Sequence, residues 1–201
     1  MTRGPVLTGE IARLRPIEET DADRMWESLQ DPEAMRLTGT TADFDREQID
    51  EWARTVSDRP GRYDWAVTPA MTRGGELVSD EMIGEIVLND IDEDVRCANL
   101  RLAQLPDYRG RGYGRDAIDQ VLRYAFDGDG AGDDGPRLHR VQLDVLAINP
   151  RAVPSTSLSG LSSRAGSATQ PSTATRTATS SSWQSSRTTT GRATPDPLRR
   201  P

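Results

Sequence analysis

The 201-residue chain contains no lysine; all 25 of its basic residues are arginine. That bias points to a GC-rich genome, because arginine has GC-rich codons and lysine does not. Cysteine is nearly absent too. A single Cys97 cannot form an intrachain disulfide, and the start, Met1-Thr2-Arg3-Gly4-Pro5, has no apolar signal core. The expected location is therefore the cytoplasm. Aromatic residues make up 5% and hydrophobic residues 34%, against 28% charged. This is thin for one core spread over the whole chain, so part of it is expected to stay unpacked. No run approaches the roughly 18 apolar residues of a membrane span, so no membrane partner is expected. The net charge of −7 argues against generic nucleic-acid binding.

The charge is unevenly spread. Residues 1–154 hold 19 Arg against 31 Asp and Glu, a net of −12; residues 155–201 hold 6 Arg and 1 Asp, a net of +5. The pattern changes at the same place. Before Pro154 the chain alternates strand-like and helix-like segments, as α/β domains do. Ile11 to Arg15 reads as a strand, with Thr20 as the N-cap of a following helix and Asp23 three residues on. Ala22, Met25, Trp26 and Leu29 lie on one face of that helix, and Ile49, Trp52, Ala53 and Val56 on one face of another starting at Asp45. Tyr63 to Thr68, Met82 to Leu88, Asn99 to Leu105 and His139 to Val145 read as strands. Arg115 to Phe126 reads as a helix with Ala117, Ile118, Val121, Leu122, Ala125 and Phe126 on its apolar face, followed by an acidic Gly-rich loop, Asp127 to Gly135. After Pro154 no period survives. Of the 47 residues from Ser155 to Pro201, 22 are Ser or Thr. Such a segment buries too little surface to offset its ordering entropy and is expected to be a disordered tail.

One motif carries chemistry: Pro106-Asp107-Tyr108-Arg109-Gly110-Arg111-Gly112-Tyr113-Gly114, between a strand and a helix. Successive glycines let backbone N–H groups turn toward one point, and the next helix adds the positive end of its dipole. Together they suit a pyrophosphate, with Arg109 and Arg111 as supporting charges. The dinucleotide pattern G-x-G-x-x-G does not fit, and no P-loop lysine exists. The competing reading is an Arg/Gly surface turn. A calcium loop over Asp127, Asp129 and Gly132 is rejected: Ala131 sits where a ligand is needed, and Leu138 where the bidentate glutamate belongs.

Arg109 to Gly114 resembles the Q/R-x-x-G-x-G/A coenzyme A loop of the GCN5-related N-acetyltransferases (GNAT family). The resemblance runs from Ile11-Ala12-Arg13-Leu14-Arg15-Pro16 to Asn149-Pro150-Arg151-Ala152. It is most similar to the Rim-type branch, which acetylates ribosomal-protein N-termini. It implies a mixed, strongly bent central sheet flanked by helices, with acetyl-CoA entering where two parallel strands splay apart. It also implies direct attack of an amine, from a protein N-terminus or a small molecule, on the acetyl thioester, without a metal. The implied cofactor-binding residues are Leu102, Gln104, Leu105, Arg109, Gly110, Arg111, Gly112, Tyr113, Gly114 and Asn149. Asn149 alternatively only caps a helix. Glu85 is the candidate general base, and the alternative is a solvated strand carboxylate. His139 and Cys97 read as structural strand residues.

The resemblance stops after Ala152. The family continues with a helix bearing a Tyr-Glu pair, then Gly-Phe and two strands, and none of these follows here. Read one base earlier with allowed codons, Ser155 onward yields Tyr-Glu, Leu-Gly-Phe, Glu-Gly, a terminal apolar strand and a stop within Asp196. The expectation is an incomplete GNAT domain over residues 1–153. Its C-terminal helix and last two strands give way to a frameshifted, Ser/Thr-rich tail over 154–201. The family's usual general acid, the Tyr of the missing pair, is lost with them. Two other classes stay open: a non-catalytic CoA-binding relative, and an interaction protein that uses its tail.

Overall fold

The computed structural model describes residues 3–38, 40–70, 78–130, 132, 135–146, 162–164 and 173–179. Among the described residues, eight strands form one sheet: β1 (Leu7–Thr8), β2 (Arg13–Pro16), β3 (Tyr63–Thr68), β4 (Gly84–Asp92), β5 (Cys97–Gln104), β6 (Arg140–Leu146), β7 (Ser162–Arg164) and β8 (Thr173–Thr179). Their order is β1-β2-β3-β4-β5-β6-β8-β7. Neighbours run antiparallel except β5 and β6, which are parallel. A parallel pair needs a long crossover, and helix α4 (Tyr113–Asp127) supplies it.

Side-chain alternation sends each strand's residues to two different cores. On one face, Leu14, Trp65, Ile86, Leu88 and Leu100 pack against Ile118, Val121, Leu122 and Tyr124 of α4. All six apolar residues expected on the face of α4 are buried, and Gln120 and Tyr124 are buried with them. Each large side chain removed from water there contributes about 1.5–3 kcal/mol. On the other face, Ala66 and Met82 meet Ile17, Met25, Ile49, Ala53 and Val56. These lie on or beside α1 (Ala22–Leu29) and α3 (Arg46–Thr55), whose spacing was legible. Asp45 caps α3 and accepts from the Gln48 N–H at 2.8 Å. The cap at Thr20 is corrected. The chain first makes a 3-10 turn over Glu19–Asp21, and the carboxylate of Asp21 accepts the Glu18 N–H at 2.8 Å. Asp21 is buried because it also receives both Arg15 Nη atoms, at 2.7 and 2.8 Å. A helix absent from the sequence reading, α2 (Pro32–Thr38), follows α1 directly.

Two features position the site. Pairing between β5 and β6 covers only Cys97↔Arg140, Ala98↔Val141 and Asn99↔Gln142. Beyond it β5 runs on to Gln104 and β6 to Leu146, so the two strands part. Second, α2 packs on both β5 and β6 and therefore spans the opening, while α1 packs on β4.

Two segments within the expected tail are strands. Thr173–Thr179 pairs with β6 along seven residues, and Ser162–Arg164 pairs with β8. Ala178 is fully buried in the core under α4. Alternating threonines favour extended backbone, and the β6 edge offers a ladder to complete. Counting only large apolar residues hides such a strand.

Candidate active site

The opened strand supplies the first part of the site. Leu100 to Gln104 pair with β4 on one side and lie beyond the β6 pairing on the other. Alternate residues of a strand direct N–H and C=O groups to alternate edges, so this stretch presents backbone groups to the opening. Leu102 is half-buried against the core. Leu105 lies just past the strand end, and its N–H is already used, donating to the Ile83 carbonyl at 2.9 Å. The Gln104 amide is partly enclosed. Its Nε2 is buried without a hydrogen-bond partner, a donor lacking its acceptor.

The glycine loop supplies the second part. After a 3-10 turn over Pro106–Tyr108 the chain reaches Gly110 at φ +74° and Gly112 at φ +99°. Both are left-handed, a conformation that side-chain-bearing residues rarely adopt. Gly112 caps α4 without any side chain, so no side-chain oxygen takes the N–H groups of the first turn there. Gly114 fits α4 tightly to β5, since a Cβ would lie 2.7 Å from Gln104 Oε1 and 3.0 Å from Leu102 Cδ2. The acid in that first turn, Asp116, faces elsewhere. It accepts the N–H groups of Glu10, Ile11 and Ala12 at 3.1, 2.9 and 2.9 Å. Left-handed glycines, an uncapped helix start and an orphaned Gln104 donor fit the phosphates and amide arm of a coenzyme A.

The two arginines differ. Arg111 is exposed, with its guanidinium 5.8 Å above the Tyr108 ring. Tyr113 touches the same ring edge-on at 6.3 Å. Arg109 is engaged within the protein: Nη2 donates to Asp31 Oδ2 at 2.6 Å and Nε to the Gln104 carbonyl at 2.9 Å. Glu33 lies 3.7 Å from Nη1.

Glu85 is half-buried on β4, opposite Ala66 on β3 and Ala103 on β5. Alternation with Ile86 puts it on the α1–α3 face, one strand from the opening. Burial and the neighbouring charge of Asp64 push its carboxyl above the ordinary glutamate range, against the pull of Arg101 and Arg62. Asp64 is buried and held by Arg62 through two bonds of 2.6 and 2.7 Å.

His139 is exposed, with Nε2 2.9 Å from Arg96 Nη1, and Cys97 begins β5 at its closed end. Neither lies at the opening. Asn149 falls outside the described residues. Among the described residues, no group of three or more His, Cys, Asp or Glu is placed to hold a metal ion, and no helix is long and apolar enough to cross a membrane. Sequence reasoning missed Asp31 and Asp116. Asp31-Pro32 carried a usable signal, a capping acid before a first-turn proline. Asp116 had none, because its partners are more than a hundred residues away.

Comparison with known proteins bears on the family and the fold. Residues 12–154 match the family model described as "Acetyltransferase (GNAT) domain". The chain belongs to the GNAT family of acetyltransferases, and the enzyme class is an N-acetyltransferase. An acetyltransferase of the GNAT family from Bacillus anthracis superposes with a TM-score of 0.70 at 15% identity, covering 88% of this chain and 99% of that one. The spermidine N-acetyltransferase from Vibrio cholerae, crystallised with CoA and spermine, superposes with a TM-score of 0.69 at 19% identity, covering 86% and 98%. At these identities the likeness is one of fold. No curated protein sequence matches the chain.

Proposed function

We propose that residues 1–153 bind acetyl-CoA at the β5–β6 opening and the Arg109–Gly114 loop and pass its acetyl group to a primary amine. The observation that carries this reading is the coincidence of the parted strands with the uncapped, glycine-led start of α4. Acetyl-CoA supplies the acetyl group as an activated thioester. The chain's own residues do the rest. Backbone groups of β5 hold the donor's amide arm, and Gln104 Nε2 gives it a further donor. The N–H groups of Gly110 to Gly114 meet its pyrophosphate, with Arg111 as a nearby mobile charge. Glu85 receives the amine proton as nitrogen bonds to the acetyl carbon, and its raised pKa makes it a stronger base than a free glutamate.

The acceptor is an amine on a protein N-terminus or on a small molecule such as a polyamine. The domain's excess of acid suits a cationic acceptor and disfavours nucleic acid and anionic membrane. Its motifs favour the Rim-type branch, and the lone cysteine favours the cytoplasm. The residues after Val153 are read as a shifted frame. The family match ends at residue 154, where the charge balance and the apolar period also change. Without the Tyr of that lost segment, the leaving thiolate lacks the family's usual acid, which weakens transfer by this chain without by itself abolishing it.

The test is calorimetry with CoA on the native chain and on Gly112→Val. Valine is strained at φ +99°, and its Cβ would sit 3.3 Å from Ile11 Cδ1. CoA should bind the native chain at least about tenfold more tightly, a difference of roughly 1.4 kcal/mol. Equal affinities would move the donor site elsewhere.

A further inference from the structure

We infer that Arg109 is a positioning residue: its ion pair with Asp31 fastens the glycine loop to the α1–α2 turn, so that one contact sets the loop and the roof of the opening together. The inference deepens the acetyl-CoA reading and rests on it only for which ligand the loop holds.

The geometry of Asp31 is the starting point. One oxygen, Oδ1, accepts the Glu33 N–H at 3.0 Å, and the Asp31 carbonyl accepts the Met35 N–H at 3.1 Å. With Pro32 as the first helical residue, Asp31 is thus the cap of α2. Its second oxygen, Oδ2, takes Arg109 Nη2 at 2.6 Å. A single carboxylate therefore serves the helix with one oxygen and the loop with the other. Both side chains are largely enclosed, Asp31 at 16% exposure and Arg109 at 27%, so solvent screens the pair less than a surface one. Burial opposes the charge on Asp31, but the bonds from Arg109 and from the Glu33 and Ala34 N–H groups outweigh it and hold its pKa down.

Arg109 is equally committed. Nε is spent on the carbonyl of Gln104, the last residue of the opened strand, and Nη2 on Asp31. The guanidinium thus joins three pieces: the end of β5, the first residue of the loop and the cap of α2. Because α2 packs on both β5 and β6, this joint fixes where the roof sits over the opening. A phosphate would have to displace Asp31 to reach the same nitrogen.

Asp31→Asn separates the two roles, because a direct phosphate contact and a positioning contact predict opposite signs. Calorimetry with CoA on the full chain should show weaker binding for Asp31→Asn and for Arg109→Met, each by about 5- to 30-fold. The double variant should lose no more than the worse single, since the two act through one contact. In the absence of CoA, hydrogen exchange should quicken in Asp31→Asn both at residues 33–38 and at residues 110–115. Unchanged or tighter CoA binding by Asp31→Asn, with loss confined to Arg109→Met, would overturn the inference in favour of a direct phosphate contact. Faster exchange confined to α2 would overturn it as well. Should Asp31→Asn fail to fold, exchange at α2 in Arg109→Met decides in its place. If the native chain binds no CoA, the acetyl-CoA reading fails, and the exchange result alone decides the joint.

Discussion

A glutamate on an inner strand has two fates, ionised with a partner or protonated, and the surroundings of Glu85 favour the second. Its carboxyl is pushed up by burial and by Asp64, so it loses its proton at higher pH than a free glutamate, whose value is about 4.3. The proton-accepting form is the ionised one. Transfer should therefore increase with pH across that raised transition. Glu85→Gln should lower kcat by about 10²-fold or more and remove that limb of the pH–rate profile. Stability should respond with the opposite sign. A carboxyl whose pKa is higher folded than unfolded favours the fold at low pH, and the benefit fades as pH rises through the folded value. Relieved of this charge, Glu85→Gln should melt higher than the native chain at pH 7 and alongside it at pH 4. An unchanged profile together with unchanged melting would return Glu85 to the status of a solvated strand residue.

At the scale of elements, β8 is the sharpest case. It consists of Thr, Ala and Arg alone, yet Ala178 is fully enclosed beside Val141 and Leu143. Ala178→Asp would bury a charge with no partner, at a cost of about 3 kcal/mol or more. Urea denaturation should show a clearly lower midpoint, and an unmoved midpoint would detach β8 from the sheet. The same strand marks what could be read from the residues in advance. Strand β3 and helices α1, α3 and α4 were legible because large apolar side chains repeat at periods of two or of three and four. The glycine loop was legible because nothing else in the chain concentrates glycine and arginine between a strand and a helix. Helix α2 was not, since of its seven residues only Ala34 is buried. Strand β8 was not, because its place depends on an available β6 edge rather than on its own apolarity. The commitment of Arg109 to Asp31 was not either, since 78 residues separate them and only the folded chain brings them together.

On the scale of the whole molecule, the acidic N-terminal part holds the candidate site and most of the sheet, and the tail lends two strands to one edge. That edge is built of Ser, Thr, Ala and Arg, and large apolar replacements that became buried would each add about 1.5–3 kcal/mol against a total of about 5–15 kcal/mol. Reinserting one base after the Val153 codon should therefore raise the urea midpoint and the steepness of unfolding, and should increase acetyl transfer to amines from acetyl-CoA. Equal cooperativity and equal turnover in the two chains would retire the shifted-frame reading. The clasp between Asp116 and the turn at Glu10–Ala12 has a consequence in time. Three amides near the start of the chain share an acceptor that the ribosome adds more than a hundred residues later. At ordinary rates of synthesis that interval is on the order of ten seconds. Throughout it the first strands lack their fastening to α4.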